Sequence, residues 1–194
     1  WEIVIQNSEG YPYYIEEFIN MLIYDQVIVK STAGKPWFVD ETKLESIQVP
    51  PTLTAVLQAR LDSLPAEERS LLQKASVAGR IFWDSLLAAM NHVDHPPVDL
   101  INSLCNRDLI YPHGDQTFED TDEYIFKHAL LHEVAYKSLL KRDRREYHAM
   151  VADWLVYMMD SIGRSVGFSS LIAEHYEGAN QHALAASWYL NAGK

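Results

Sequence analysis

Tyr124-Ile125-Phe126-Lys127-His128-Ala129-Leu130-Leu131-His132-Glu133-Val134-Ala135-Tyr136 reads as two kinds of structure in immediate succession. The first residues alternate as a short strand. From Ala129 onward apolar side chains recur at helical spacing, and no turn residue separates the two halves. His128 therefore falls at the junction, at a helix start, where orphan N–H groups and the positive end of the macrodipole favour an anion such as phosphate. His128 and His132 also share one helical face, four residues apart, as a metal half-site or as two packed rings. The run His-Ala-Leu-Leu-His-Glu fits neither H-E-x-x-H nor H-x-x-E-H, and no third ligand is identifiable, so packing is the favoured role of His132.

Working back from that stretch, Leu109–Tyr111 and Glu123–Phe126 read as two strands around a polar loop, His113 to Asp122. Before them come a helix opened by Pro65 and stopped at Gly79, a helix from Trp83 to Met90 and a helix from Pro97 to Asn106. Three helices followed by a two-stranded wing outline a winged helix, whose third helix enters the major groove in DNA-binding members. Here that helix, Val98 to Asn106, has no Lys or Arg before Arg107.

Further upstream, Pro12 suits a first helical turn, and Ile15, Phe18, Ile19 and Leu22 predict a helix over 12–24. Val27–Val29 and Pro36–Val39 flank Ala33-Gly34 as a small hairpin, and a charged linker follows. Pro50-Pro51-Thr52 then opens a helix that ends near Ser63. Downstream of His128 two long amphipathic helices are predicted, Lys127–Leu140 and Arg142–Met159. In the last block, Leu171 to Lys194, the residues Ala173, Tyr176, Ala185, Tyr189 and Ala192 fall on the spacing of a 34-residue helix-turn-helix repeat of the TPR kind. One such repeat is unstable alone, so its outer face should be apolar and covered by further repeats.

Composition narrows the function classes. With 194 residues, 48% hydrophobic and 22% charged, the chain can bury a real core. A formal charge of −11 repels nucleic-acid phosphates on average. The one basic cluster, Lys137, Lys141, Arg142, Arg144 and Arg145, is interrupted by Asp143 and Glu146 and reads as a solvated corner. Cys105 is the sole cysteine, which excludes an internal disulfide and suits a reducing, cytoplasmic setting. No run has transmembrane length, no signal peptide is present and the first residue is Trp1, so a soluble piece of a longer protein is expected.

Taken in order, Gly10-Tyr11-Pro12, Val49-Pro50-Pro51-Thr52-Leu53, Ala59-Arg60-Leu61-Asp62-Ser63-Leu64-Pro65, Ala75-Ser76-Val77-Ala78-Gly79-Arg80-Ile81-Phe82, Phe126-Lys127-His128-Ala129 and the helical repeat resemble the post-ATPase half of the STAND signal-transduction ATPases. The likeness is strongest to the ATPase and TPR region of multidomain class III adenylate/guanylate cyclases and related bacterial regulators. The resemblance implies a mainly α chain: 1–48 the end of an ATPase helical lid with a β-hairpin, 49–126 a winged-helix-like domain, 127–166 a linking helical pair and 167–194 a first, truncated TPR-like repeat. It maps Gly10 and Pro12 to the adenine pocket of the parent. It also places His128 where related switch proteins carry the histidine of a Met-His-Asp motif that touches the β-phosphate of ADP. Ala129 stands in place of the aspartate, so a nucleotide sensor and a packed interface histidine both stay open for His128.

The function expected on this basis is a regulatory and interaction fragment, coupling nucleotide state to output. Its partners would be the parent's own P-loop ATPase domain, further repeats and proteins bound by them, with ATP or ADP and Mg held in the parent and no cofactor or metal in the fragment. The alternative is a winged-helix DNA-binding transcription regulator. An enzyme within the fragment is not expected: there is no G-x-x-x-x-G-K-[ST] loop, and Glu16-Glu17 and Glu67-Glu68 are adjacent pairs that point apart on a helix.

Overall fold

The computed structural model describes residues 12–29, 37–40, 42–43, 50–114, 117–162 and 167–193. Gly10, the Ala33-Gly34 turn and most of the charged linker lie outside the described residues. The chain is mainly helical with small antiparallel sheets, and it divides into two compact units, Trp1–Pro65 and Ala66–Lys194.

In the first unit, helix α1 (Pro12–Tyr24) is followed by strands β1 (Ile28–Val29) and β2 (Phe38–Val39), which pair antiparallel, and by helix α2 (Leu53–Ser63). Of the stripe predicted over 12–24, Phe18 and Leu22 are buried but Ile15 and Ile19 only half-buried; the inward face is rotated to Tyr14, Phe18, Met21 and Leu22, which close a core with Val27 and Val56. Thr52 caps α2 by accepting a hydrogen bond from the Ala55 amide at 3.2 Å, which explains why the helix begins after the two prolines. α1 stops in a Schellman turn: Gln26 has φ 56°, the Val27 amide donates to the Leu22 carbonyl and the Gln26 amide to that of Ile23. Beside this small core lies a buried ion pair between Glu17 on α1 and Arg60 on α2.

The second unit begins with helix α3 (Ala66–Ala78), then strand β3 (Ile81–Trp83), helix α4 (Asp84–Met90), helix α5 (Val98–Asn106), and strands β4 (Ile110–His113) and β5 (Glu123–Phe126). α3 ends at Gly79, whose φ of 132° lies beyond the reach of ordinary side chains. The sheet order is β3-β5-β4, all antiparallel, so β5 is central. β3 corrects the sequence reading, which began a helix at Trp83. Three residues are too few to display alternation, and the strand exists because Ile81, Phe82 and Trp83 find partners in Ile125, Tyr124 and Glu123. Pro112 is accommodated because β4 is an edge strand, where a missing amide costs no ladder bond.

Helices α6 (Ala129–Ser138), α7 (Lys141–Ile162), α8 (Ser169–Gly178) and α9 (His182–Ala192) complete this unit. α8 and α9 are joined through Asn180 (φ 64°), with the Gln181 amide donating to Tyr176 and the Asn180 amide to Glu177. Of the residues on repeat spacing, Ala173, Tyr176 and Ala185 are buried, whereas Tyr189 and Ala192 are exposed beside Leu184 and Leu190.

Candidate functional site

His128 ends the extended chain of β5 and precedes α6 as its cap residue, with φ −136° and ψ 142°. The strand is held from both sides up to this point: the Phe126 amide donates to the Arg80 carbonyl and the Lys127 amide to that of Leu109, each at 3.0 Å. The backbone thus fixes the junction on both sides, and the His128 side chain makes no capping bond to α6. His128 is half-buried, and its carbonyl accepts from the His132 amide. Pro12, the other described member of the expected nucleotide set, opens α1 in the first unit and is exposed; Gly10 lies outside the described residues.

His132 is a packing residue. Its Nε2 lies 2.8 Å from the Ser76 carbonyl, an atom that can only accept, so the ring carries its proton on Nε2. The ring meets Phe126 edge to face at 5.3 Å, and burial pushes its pKa below the usual histidine value. With Nε2 committed to the Ser76 carbonyl, Nδ1 is the bare nitrogen of the neutral ring. Among the described residues, no group of three or more His, Cys, Asp and Glu converges as a metal shell.

The outer face of α5 presents Val98, Asp99, Asn102 and Asn106. Arg107, the nearest cation, is turned inward: its Nε pairs with Glu68 of α3 at 2.8 Å, and Ser103 donates to the same carboxylate. The loop between β4 and β5 is equally committed. Phe118, the one apolar side chain between Pro112 and Tyr124, is buried among Trp83, Trp154 and Phe168, with centroids 5.1–5.4 Å from its ring. Asp84 at the start of α4 ties the loop down by accepting from the Thr121 hydroxyl at 2.7 Å and the Asp122 amide at 3.1 Å.

Glu123 fastens the other side of that loop. Its Oε1 accepts from the Thr117 amide at 2.6 Å and from Trp83 Nε1 at 3.1 Å, and Oε2 lies 3.4 Å from His113 Nδ1. Burial alone would raise this carboxyl, but the donors outweigh it and hold its pKa below the usual carboxylate range. The aromatic anchor was missed from sequence, although an isolated phenylalanine in a polar loop is the signal that could have revealed it.

Three of the five cations of the basic corner have partners within the chain. Arg144 donates to the Lys137 and Leu139 carbonyls at the end of α6 and lies over the Tyr136 ring at 4.9 Å, while Lys137 pairs with Glu133 and Arg142 with Asp143. Comparison with known proteins finds no match for this chain: not to a family model, a curated protein or a solved structure.

Proposed function

We propose that the chain is a regulatory and interaction module of a nucleotide-dependent signalling protein of the STAND kind, rather than a DNA reader or an enzyme. In this reading 49–126 is the winged-helix-like domain, and its part from α3 to β5 carries the likeness, since helix, strand, helix, helix, strand, strand with the last strand central is that fold's order. The α8–α9 pair is the first unit of a TPR-like array, and the exposed Leu184, Tyr189 and Leu190 are the face on which a following repeat stacks. His128, at the end of the central strand, meets the β-phosphate of ADP when the parent's nucleotide domain docks, and Pro12 packs on the adenine.

The observation that carries this reading is the burial of Phe118. A DNA-binding wing projects its loop towards the phosphate backbone, whereas this loop is anchored into α7 and Phe168, and α5, in the place of a recognition helix, carries Asp99 and no Lys or Arg. A wing used in that way passes movement of the winged helix directly to the helices that follow it. Coupling of this type needs one domain arrangement to contact nucleotide and another not to, because a ligand shifts an equilibrium only by what it binds differently. The test is the nucleotide content of the intact parent protein after gel filtration, where ADP close to one per chain is expected. A nucleotide-free protein that bound duplex DNA with a steep salt dependence would replace this reading with the transcription-regulator alternative.

A further inference from the structure

Three rings on three helices of the second unit form one hydrogen-bonded line. Tyr136 Oη on α6 is 2.9 Å from His148 Nε2 on α7, and His148 Nδ1 is 2.9 Å from His175 Nδ1 on α8. The His175 ring also bonds the Ala78 backbone at the end of α3. His175 is 5% exposed, so water does not stand in for these partners. The helices meet so closely here that a Cβ on Gly178 would lie 2.8 Å from His148 Cγ.

The proton inventory of this line has one solution in the neutral state. The bond to Ala78 favours the charged ring, so the ring donates and the backbone carbonyl accepts. Because Nδ1 faces His148, that N–H is on Nε2, and a neutral His175 offers a bare Nδ1. His148 must then donate from its own Nδ1, which leaves its Nε2 bare and obliges the Tyr136 hydroxyl to donate to it. One further proton can be received: it sits on His148 Nε2 while the Tyr136 hydroxyl turns to accept. A second would set N–H against N–H across 2.9 Å, between two charged rings.

We propose that the Tyr136–His148–His175 line is an acid-operated latch, which holds the α8–α9 pair against α6 and α7 while at least one imidazole is neutral and releases it when both are charged. The groups facing it deepen the effect. Arg144, on α7 and over the Tyr136 ring, opposes charge on His148. α8 brings the His175 ring alone, since the neighbouring Tyr176 hydroxyl donates to Asp153 at 2.9 Å. From α3 the line meets the Ala78 carbonyl, while Lys74 of that helix is drawn away to Met90 and Asn91. Burial first, and then His148, push His175 down to about 4, while burial and Arg144 hold His148 below its usual value. The latch is thus shut at neutral pH.

Two measurements on the whole chain test it. Nitrogen-15 NMR of the imidazoles near neutral pH should find His148 as the Nδ1–H tautomer and His175 as the Nε2–H tautomer; the opposite assignment or a mixture overturns the proposal. Hydrogen exchange, corrected for intrinsic rate, should show protection in 169–192 falling about tenfold or more on acidification while 123–138 stays protected. His175→Phe should abolish that step. Loss of protection in both segments at one pH, or a step retained in His175→Phe, overturns the latch. Should that variant fail to fold, Tyr136→Phe removes the hydroxyl that receives the first proton's N–H and should move the step to lower pH; no movement, or movement upward, is equally fatal.

Discussion

Phe118 and Trp154 pack edge to face with ring centroids 5.4 Å apart, joining the loop between β4 and β5 to the middle of α7. Phe118 is 1% exposed, so truncation removes its transfer free energy and leaves a cavity among three aromatic rings. Phe118→Ala should therefore cost about 3–5 kcal/mol in urea unfolding followed by tryptophan fluorescence. A double-mutant cycle with Trp154→Leu should return a coupling of about 1 kcal/mol. A loss below about 1 kcal/mol for Phe118→Ala would mean that the loop is not anchored.

In the first unit the Glu17–Arg60 pair is buried on both sides. Arg60→Met removes the guanidinium from a buried carboxylate and should destabilise this unit by about 3–5 kcal/mol. The double replacement Glu17→Leu with Arg60→Met removes both charges together and should recover most of that loss, because a buried pair repays little more than its own desolvation. Chemical denaturation monitored on the first unit distinguishes the two outcomes.

Stability should fall in acid through His175. Burial and His148 lower its folded value to about 4 from the ordinary 6.5, so between these values the unfolded chain binds a proton that the folded chain refuses. The contribution is complete above about 6.5 and lost as pH descends from there towards 4. Its full size is about 3 kcal/mol on the usual conversion. Denaturation midpoints for wild type and His175→Phe should converge in acid and separate near neutrality.

Gly178→Ala opposes two effects of known sign. Alanine favours a helix by up to about 1 kcal/mol, but the new Cβ meets the His148 ring at 2.8 Å, and that ring is held at both nitrogens. Net destabilisation is expected in thermal unfolding, with a changed chemical shift at His148. A stabilised variant would show that the ring yields freely.

Much of the backbone was legible in the sequence, and the exceptions have physical causes. Pro12, Thr52 and Gly79 carry local chemistry that sets helix ends wherever they occur, and the matching helices begin or stop there. β3 was not legible because its identity resides in β5, 40 or more residues away, rather than in Ile81-Phe82-Trp83 itself. The Schellman turns at His92 and Asp108 were hidden for a related reason: the left-handed residue is not glycine, and the turn is set by the packing around it. At the site, the strand-to-helix junction at His128 was readable from periodicity, as was the absence of cations on α5. The pairing of His148 with His175 spans 27 residues and two helices, and no spacing rule anticipates it.

On the proposed function, His128 reports nucleotide state in the intact parent. Stopped-flow exchange of fluorescent ADP from that protein measures this directly. His128→Ala should accelerate ADP release about tenfold, the loss of roughly one charge-assisted hydrogen bond to phosphate. Release at the wild-type rate, with unchanged nucleotide content, would contradict the account.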